Sequence, residues 1–218
     1  MGKNTSLGKD SEAGNLERTK MANIAKNRFC MVKEMHRKSL EKAIAEEKAD
    51  RQITQLCRFV SKTKGFFTSS SCAGRIILLQ LPKNENKLDA SFHRKWHRRV
   101  KERELWQGIS EKTEGELWFK LDAFILHIGA NSLENANLIL GAMKRAGVKR
   151  GGIMVAKDGK FLIELQGTQA MAFPVKKESK ILVSGDYMHY ALERANKKLA
   201  KNYAMLKRLE KEFRKCLK

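Results

Sequence analysis

Apolar residues recur every three to four positions in three long segments of the chain, a spacing typical of amphipathic helices. The first segment begins near Asn27, where regular structure is expected to start. The second follows Asp50, a residue type that favours helix N-caps, and Gly65 comes after its last apolar position. The third runs from about Tyr187 to the end of the chain, with lysine and arginine on its other faces.

A shorter helix is predicted in the second half of the chain. Asn131 and Glu134 have the spacing of a capping box, and the apolar residues that follow fall on one helical face. Gly147 supplies a C-terminal stop signal. We therefore expect Asn131 to cap this helix.

The middle of the chain is rich in strand-forming residues instead. The predicted strands are 75–82, 117–121, 124–128, 152–156 and 161–165. Asp158 and Gly159 separate the last two strands and form a strong hairpin-turn signal. Helices at both ends and a mainly antiparallel or mixed sheet between them indicate the α+β class.

Residues 1–25 are polar and carry almost no periodic apolar positions, so we expect a mobile arm followed by a single domain over residues 26–218. The composition adds a strong charge. Among 218 residues, 45 are Lys or Arg and 24 are Asp or Glu, which gives a net charge of +21. Such an excess favours a polyanionic partner, most often a nucleic acid.

Other composition features exclude several classes. No stretch approaches the roughly 18 uninterrupted apolar residues of a membrane span, and no secretory signal is visible. The four cysteines have no CxxC spacing, which argues against a zinc site and against a disulfide framework. The expected setting is the reduced cytoplasm.

The segment 66–75 carries the most distinctive candidate chemistry. Three serines, Cys72, Gly74 and Arg75 precede a strand, so we expect a loop whose hydroxyl and backbone N–H groups could bind an anion or a polar ligand. The plain alternative is a serine-rich turn. Cys72 could be a nucleophile if its pKa were lowered, but a small buried thiol is the other interpretation.

Two further segments have a functional and a structural interpretation. His127 lies in a predicted strand and is either a core residue or part of a site. The 129–131 segment that follows leads into a helix N-terminus, which could favour anions. The 92–99 segment mixes basic residues with Phe92 and Trp96. It would suit RNA binding, or it could be a solvated helical face with Trp96 buried.

Several motifs together resemble one known family. The segment Thr68-Ser-Ser-Ser-Cys-Ala-Gly-Arg75 is similar to the T-T-S-S-C-S-G-R signature of the wybutosine-synthesis tRNA methyltransferases, the third protein of the wyosine pathway, in its archaeal form. The resemblance continues in order through Lys95-Trp-His-Arg98, Trp118-Phe119 with Ile125-Leu-His-Ile128, Ala146-Gly-Val-Lys-Arg-Gly-Gly-Ile153 and Ala195-Asn-Lys-Lys-Leu199. It covers roughly residues 28–213.

This resemblance implies an activity and a fold. The family transfers a methyl group from S-adenosylmethionine to the N-4 nitrogen of the tricyclic wyosine precursor, at position 37 of phenylalanine tRNA. The implied fold is α+β, with a mixed sheet curved toward a half-barrel, flanking helices and a long C-terminal helix, unlike the doubly wound methyltransferase fold. No metal is implied, and tRNA is the implied partner.

The resemblance also implies roles for individual residues. The implied catalytic residues are Ser69, Ser70, Arg75 and His127. The implied cofactor-binding residues are Ser71, Cys72, Gly74, Ala130, Asn131 and Gly152. The implied RNA-binding residues are Lys95, Trp96, His97 and Arg98.

The chain departs from the family pattern at polar positions. Ala73 stands in place of a serine and Gly151 in place of another, and the family's S-T-E-R segment reads Gly167-Thr-Gln-Ala170. These departures keep a second hypothesis open, a non-catalytic or substrate-divergent tRNA-binding protein on the same scaffold. A third hypothesis, a ribosome-associated structural protein, rests on charge alone.

Overall fold

The structure is a computed structural model that describes residues 7–82, 90–157 and 159–217. Its helices are α1 (Leu7–Ala45), α2 (Arg51–Lys62), α3 (Glu102–Ser110), α4 (Leu133–Ala146) and α5 (Gly185–Cys216). Its strands are β1 (Phe66–Cys72), β2 (Arg75–Leu81), β3 (Ser91–Trp96), β4 (Glu116–Asp122), β5 (Ile125–Ala130), β6 (Arg150–Lys157), β7 (Lys160–Gln166), β8 (Met171–Lys177) and β9 (Lys180–Ile181).

The described strands form two sheets, in both of which neighbouring strands are antiparallel. The first sheet has the order β1-β5-β7-β6 and the second sheet the order β3-β2-β4-β8-β9. The α+β class, the unclosed sheets and the long C-terminal helix confirm the expected class. The expected hairpin joins β6 to β7, with Lys157 opposite Lys160. Asp158, the first residue of its turn signal, lies outside the described residues.

Helix α5 packs against both sheets, and each half of it belongs to a different hydrophobic core. Met188, Ala195 and Leu199 join the core of the second sheet. Leu206 and Phe213 join the core of the first sheet, together with residues of α2 and α4. An amphipathic helix of this length is therefore stabilised mainly by tertiary packing along its apolar stripe.

The other face of the first sheet is covered by α1. Phe66 points into the core of the first sheet, so the next residue, Phe67, points to the opposite face. There its ring lies 5.4 Å from the ring of Phe29 and stacks at 4.9 Å on the ring of His36. The Lys33 ammonium donates to the carbonyl of Thr63 and fixes the same helix beside the end of α2.

Three sequence-based expectations about these elements are wrong. Helix α1 begins at Leu7 and not near Asn27, so much of the expected arm is helical, while residues 1–6 lie outside the described part. Ser132, and not Asn131, caps α4, and its side chain accepts from the N–H of Asn135. The 91–96 segment is strand β3, not a helical face, because it pairs with β2 along its length.

The chain passes between the two sheets at connections that meet beside Asn202 of α5. Gly74 joins β1 to β2 with φ of +94°, and a Cβ there would lie 3.0 Å from the carbonyl oxygen of Asp122 and 3.1 Å from the Asn202 amide nitrogen. Gly167 follows β7, where a Cβ would lie 2.8 Å from Asn202 and 2.8 Å from Phe124. Only glycine permits both the dihedral angle at Gly74 and this close packing.

Candidate active site

A polar cavity of about 380 Å³ lies where α1, the start of α2 and strands β1 to β3 converge. This volume falls in the range of small-molecule sites, about 300–1,000 Å³. Its walls include Asp50, the segment 69–72, Arg75, Lys95 and His97. The candidate ligand segment of the sequence therefore does line a cavity, next to two residues from the segment expected to bind RNA.

The serine segment is a bulged strand and not the loop that its composition suggests. Thr68 pairs with Ile128 and Ser71 pairs with Leu126, so three steps along β1 match two steps along β5. One extra residue makes a β-bulge, a feature that re-aims side chains next to functional sites. Pairing with β5 overrides the weak strand propensity of serine, since strand propensity depends strongly on context.

Asp50, which the sequence pattern assigned only to helix capping, lines the cavity. It occupies the N-cap position of α2, but its side chain makes no capping hydrogen bond. Oδ2 accepts from the N–H of Ala73 at 2.8 Å, and Oδ1 accepts from Nδ1 of His97 at 2.6 Å. The carboxylate is therefore turned into the cavity wall and links β1 to the end of β3.

The hydrogen bonds around Asp50 decide its ionisation. Burial acts to raise the pKa of its carboxyl group, since only 9% of the side chain is exposed. Hydrogen bonds from His97, from the backbone of Ala73 and from the Cys72 thiol outweigh burial and hold the pKa below its usual value. Asp50 is therefore a carboxylate at neutral pH.

Cys72 lies beside this pair as a neutral thiol. Burial, helped by the charge of Asp50, raises the pKa of Cys72 to about 11. Its Sγ lies 3.8 Å from Nδ1 of His97, the same nitrogen that Asp50 holds. A cysteine–histidine–aspartate relay needs both ring nitrogens, one for each partner, and a thiolate nucleophile. The geometry supports the interpretation of Cys72 as a small buried thiol.

Asp50, Cys72 and His97 each offer one ligand atom within 4.8 Å of the others, an arrangement that resembles a metal site. Oxygen and nitrogen ligands bonded at about 2.0–2.2 Å to a tetrahedral zinc ion would stand roughly 3.3 Å apart. The 2.6 Å between Asp50 and His97 is a hydrogen-bond distance instead. The cluster therefore fits a hydrogen-bonded pair with an adjacent thiol better than a metal ligand set.

Helix α5 contacts the backbone of His97 through a hydrogen bond. The hydroxyl of Tyr203 donates to the backbone carbonyl of His97 at 3.0 Å. Burial, with the negative charge of Asp50 nearby, raises the pKa of Tyr203 to about 12, so its phenol remains a donor. Nothing in the sequence signals this contact, because the two residues are 106 positions apart.

The cationic side of the cavity is formed by Arg75 and Lys95. Nε of Arg75 donates to Asp122 at 3.0 Å, and its guanidinium lies 4.6 Å from the centre of the Phe92 ring. The Lys95 ammonium lies 5.5 Å from the same ring centre. The cavity can therefore present a positioned guanidinium and an exposed ammonium to a carboxylate or a phosphate.

His127 lies outside the cavity, behind the bulge of β1. Its Nδ1 donates to the carbonyl of Ser70 at 3.0 Å, and its Nε2 lies 2.8 Å from a carboxylate oxygen of Glu164. A carbonyl and a carboxylate both accept, so each ring nitrogen faces an acceptor. Both nitrogens are thus occupied in shaping the segment that faces the cavity.

The remaining residues of the implied cofactor set do not meet in this cavity. Ala130 pairs with Phe66, at the opposite end of β1 from Cys72, and six residues of strand correspond to about 20 Å. Asn131 donates its N–H to Gly65 and accepts from Asn135. Gly152 pairs with Glu164, on the far side of the first sheet from β1.

The side chains of the segment expected to bind RNA, residues 95–98, point in different directions. Lys95 and His97 reach the cavity. Trp96 is half-buried against the core of the second sheet. Arg98 is exposed and pairs with Glu104 at 2.6 Å. Strand alternation explains why Lys95 and Trp96 point to opposite faces, whereas His97 and Arg98 follow the end of β3.

The chain resembles known proteins over most of its length. The profile of the family described as methyltransferase TYW3 matches residues 26–215. A relative from Thermococcus kodakarensis, named tRNA(Phe) 7-((3-amino-3-carboxypropyl)-4-demethylwyosine(37)-N(4))-methyltransferase 1, is 32% identical over 183 residues, 84% of this chain and 92% of the relative. A relative of the same name from Pyrococcus abyssi is 33% identical over 175 residues, 80% and 90% of the two chains.

A solved structure shares the fold. The structure of PH1069 protein from Pyrococcus horikoshii superposes with a TM-score of 0.79 at 30% identity, and the match covers 85% of this chain and 96% of that one. Among the described residues, no helix is both long and apolar enough to cross a membrane.

Proposed function

Because the chain belongs to the methyltransferase TYW3 family, we propose that it transfers the methyl group of S-adenosylmethionine to the N-4 nitrogen of the tricyclic wyosine precursor at position 37 of tRNA(Phe). The single observation that carries the assignment to a site is the polar cavity lined by residues 69–72, Asp50 and His97. The reaction takes place in the cytoplasm, and the partner is a folded tRNA.

For this reaction the protein mainly has to position the methyl donor and the acceptor nitrogen. The sulfonium of the donor already makes its methyl group electrophilic, so holding donor and nitrogen close and in line can lower the barrier by several kcal/mol, within the roughly 7–11 kcal/mol available to proximity. The hydroxyls of Ser69 and Ser70 offer adaptable hydrogen bonds on one wall. Arg75 and Lys95 would bind a carboxylate. The methyl donor carries one, and so does a base that bears an aminocarboxypropyl group.

The net charge of +21 would serve RNA docking. Arg98 and the basic faces of α1 and α5 lie outside the cavity walls, where phosphate contacts would position the tRNA without reading its sequence. Trp96 is half-buried, so its stacking on RNA stays a prediction. The cofactor contacts implied for Ala130, Asn131 and Gly152 also stay predictions, as they lie away from this cavity.

The departures from the family pattern do not favour the non-catalytic hypothesis. Ala73 is fully buried, and the group it contributes to the site is its backbone N–H. Gly151 has φ of +146°, and a Cβ there would lie 2.3 Å from the carbonyl oxygen of Glu164. Gly167 packs against Asn202. Ala73, Gly151 and Gly167 contribute backbone groups or close packing, and neither they nor Gln169 and Ala170 line the cavity.

The test is methyl transfer from labelled S-adenosylmethionine. We expect label in tRNA(Phe) that carries the demethylated tricyclic base and none in the transcribed tRNA that lacks it. Arg75→Ala should weaken donor binding measured by calorimetry, whereas Arg145→Ala, which breaks an exposed ion pair with Glu212 on the α4–α5 surface, should not. Salt-sensitive tRNA binding without any transfer to several tricyclic precursors would refute the enzymatic proposal.

A further inference from the structure

Helix α5 carries a row of cations on the side away from its apolar stripe. Its members begin at one arginine and recur three, four, seven and fourteen residues further on, so they fall on one side of the helix: Arg194, Lys197, Lys198, Lys201 and Arg208. Among the described residues, Lys197 alone of the five has a carboxylate partner, Glu193 at 3.4 Å. Like charges on one helix face repel each other, so an uncompensated row of this kind favours a polyanionic partner.

The row starts close to the candidate active site. A concavity of about 290 Å³ lies between Arg99 and four of these cations, and none of the described residues in its walls is acidic. Arg99 follows His97, a wall residue of the polar cavity, by two positions, and two residues of chain span at most about 7 Å. A strand of RNA that leaves the polar cavity therefore meets positive charge within one or two nucleotides.

A second concavity, of about 280 Å³, adjoins the first, because Lys201 lines both. We call it the α5 concavity. Helix α5, the connection from α4 to β6 and the connection from β7 to β8 enclose it. It shares none of its described wall residues with the polar cavity of the candidate active site.

The walls of the α5 concavity combine three kinds of side chain. The apolar ones are Phe124, Val148 and Met205, the uncharged polar ones are Gln166, Thr168, Gln169 and Asn202, and the cations are Lys149, Lys201 and Arg208. No carboxylate lies among the wall residues that the structure describes. A site for a bare anion needs cations and N–H donors but no aromatic or aliphatic surface, so the apolar part requires a further explanation.

A nucleotide has the three matching kinds of surface. The faces of an unstacked base pack on apolar and aromatic side chains, and its edge forms hydrogen bonds with amides and hydroxyls. Its phosphates are neutralised by lysine and arginine. Single-stranded loops of RNA present unstacked bases of this kind, whereas the bases of a double helix are stacked and paired.

We propose that the α5 concavity holds an unstacked base of the tRNA substrate, different from the base that is methylated, while the cations of α5 neutralise the phosphates around it. The inference rests on the proposed function, which supplies tRNA as the partner. It goes beyond sequence-independent docking, because a base held in a pocket lets the protein recognise a nucleotide that it does not modify.

The dimensions of the row suit a short single-stranded segment. Arg194 and Arg208 are fourteen residues apart, which corresponds to about 21 Å of helix. Stacked nucleotides follow each other at about 3.4 Å along a strand, so the row matches a segment of about six nucleotides. A segment of this length fits within a hairpin loop, and the methylated base and the second base can therefore belong to the same loop.

The phosphate contacts are tested by the salt dependence of tRNA binding. The dissociation constant of transcribed tRNA(Phe) is measured by fluorescence anisotropy at several KCl concentrations for the wild type and for Lys201→Ala combined with Arg208→Ala. We expect weaker binding and a slope of log Kd against log [KCl] that falls by about 1.4, which is about 0.7 for each lost contact with a single strand. Lys112→Ala removes an exposed lysine between α3 and β4, outside both concavities, and should leave the slope unchanged.

The base is tested with Ala204→Trp, because Ala204 is exposed on α5 and lines the concavity. An indole there occupies the space without changing the charge. We expect the affinity for tRNA to fall about 5-fold to 150-fold, the loss expected for one stacked base, with the salt slope unchanged. Asn137→Trp places the same ring on an exposed position of α4 and should bind tRNA as the wild type does.

A set of tRNA(Phe) molecules assembled from synthetic fragments, each lacking one base of the loop that contains position 37, identifies the occupant. The tRNA that lacks the occupant base should bind the wild type less tightly, and Ala204→Trp should not weaken it further, because both changes remove the same contact. Losses from Ala204→Trp that add in full to those of every abasic tRNA would refute the inference.

The binding assays need no methyl transfer, so the two proposals can fail separately. A wild type that binds tRNA as described but transfers no methyl group refutes the proposed activity and leaves the base site supported. An active wild type whose Ala204→Trp variant binds tRNA as tightly or more tightly refutes the base site alone, and a wild type without affinity for tRNA refutes both. Thr168→Trp, at an exposed wall position after β7, serves if Ala204→Trp fails to fold. Binding of free adenosine monophosphate that Ala204→Trp abolishes, with tRNA affinity unchanged, would overturn the inference in favour of a small-ligand site.

Discussion

Gly129 is the position where a single methyl group should most clearly test how the first sheet is built. It lies opposite Phe67 in the β1–β5 pair, and a Cβ added there would stand 2.1 Å from Cζ of the Phe67 ring. The ring cannot move aside freely, because Phe67 is 1% exposed and contacts Phe29 and His36 on α1. Gly129→Ala must therefore displace either the ring or the strand.

The expected cost follows from these two choices. Overpacking a well-packed core costs about 1–3 kcal/mol, and giving up the packing of a buried phenylalanine costs about 3–5 kcal/mol. Replacing glycine by alanine inside a strand returns roughly 0.5–1 kcal/mol of backbone entropy. Since the less costly of the two routes decides the outcome, we expect Gly129→Ala to lower the free energy of unfolding by about 1–2 kcal/mol.

Urea unfolding followed by circular dichroism measures this cost, and Gly152→Ala is the matched control. Gly152 lies in the same sheet, but a Cβ there meets nothing within 4 Å, so its replacement should be neutral or slightly stabilising. In a Phe67→Ala background the clash is absent, and Gly129→Ala should then cost nothing. An equal cost of Gly129→Ala in both backgrounds would refute the proposed contact.

Three further predictions concern the cavity. Iodoacetamide at pH 7 should modify exposed Cys30 well before Cys72, whose pKa of about 11 keeps it a thiol, and peptide mass spectrometry would show the order. Tyr203→Phe leaves the His97 carbonyl without its donor and should cost about 1–3 kcal/mol in urea unfolding; an unchanged midpoint would contradict that contact. The folded pKa of Asp50 is lowered, so its stabilisation holds above the unfolded pKa of about 3.9 and is lost as the pH falls through the folded value. Asp50→Asn should therefore flatten the acid dependence of unfolding below about pH 4, and parallel profiles would contradict this.

Several elements could be read from the sequence because their signals are local. The β6–β7 hairpin followed from its turn residues, α4 from its apolar stripe and Gly147, and α5 from a period of three to four residues. The serine segment was recognised as the candidate ligand wall from residue types alone, and it does line the cavity. In each case the information lies within a few neighbouring residues.

The misjudged elements depend on partners distant in the chain. The serine strand β1 and the basic strand β3 lack strong strand propensity, and each forms by pairing with β5 or β2. At the start of α4, Asn131 and Ser132 are both good capping residues, and only the backbone geometry selects Ser132.

The sequence by itself determined the α+β class, most of the regular elements, the basic character and the family, because periodicity, charge and ordered motifs are properties of the chain. Only the tertiary structure brought Asp50, Cys72 and His97 together, from segments 22 and 25 positions apart, around one cavity. It also separated His127 from that cavity. Side-chain direction depends on bulges, strand alternation and packing against α1 and α5, and these are decided by long-range contacts that no local pattern encodes.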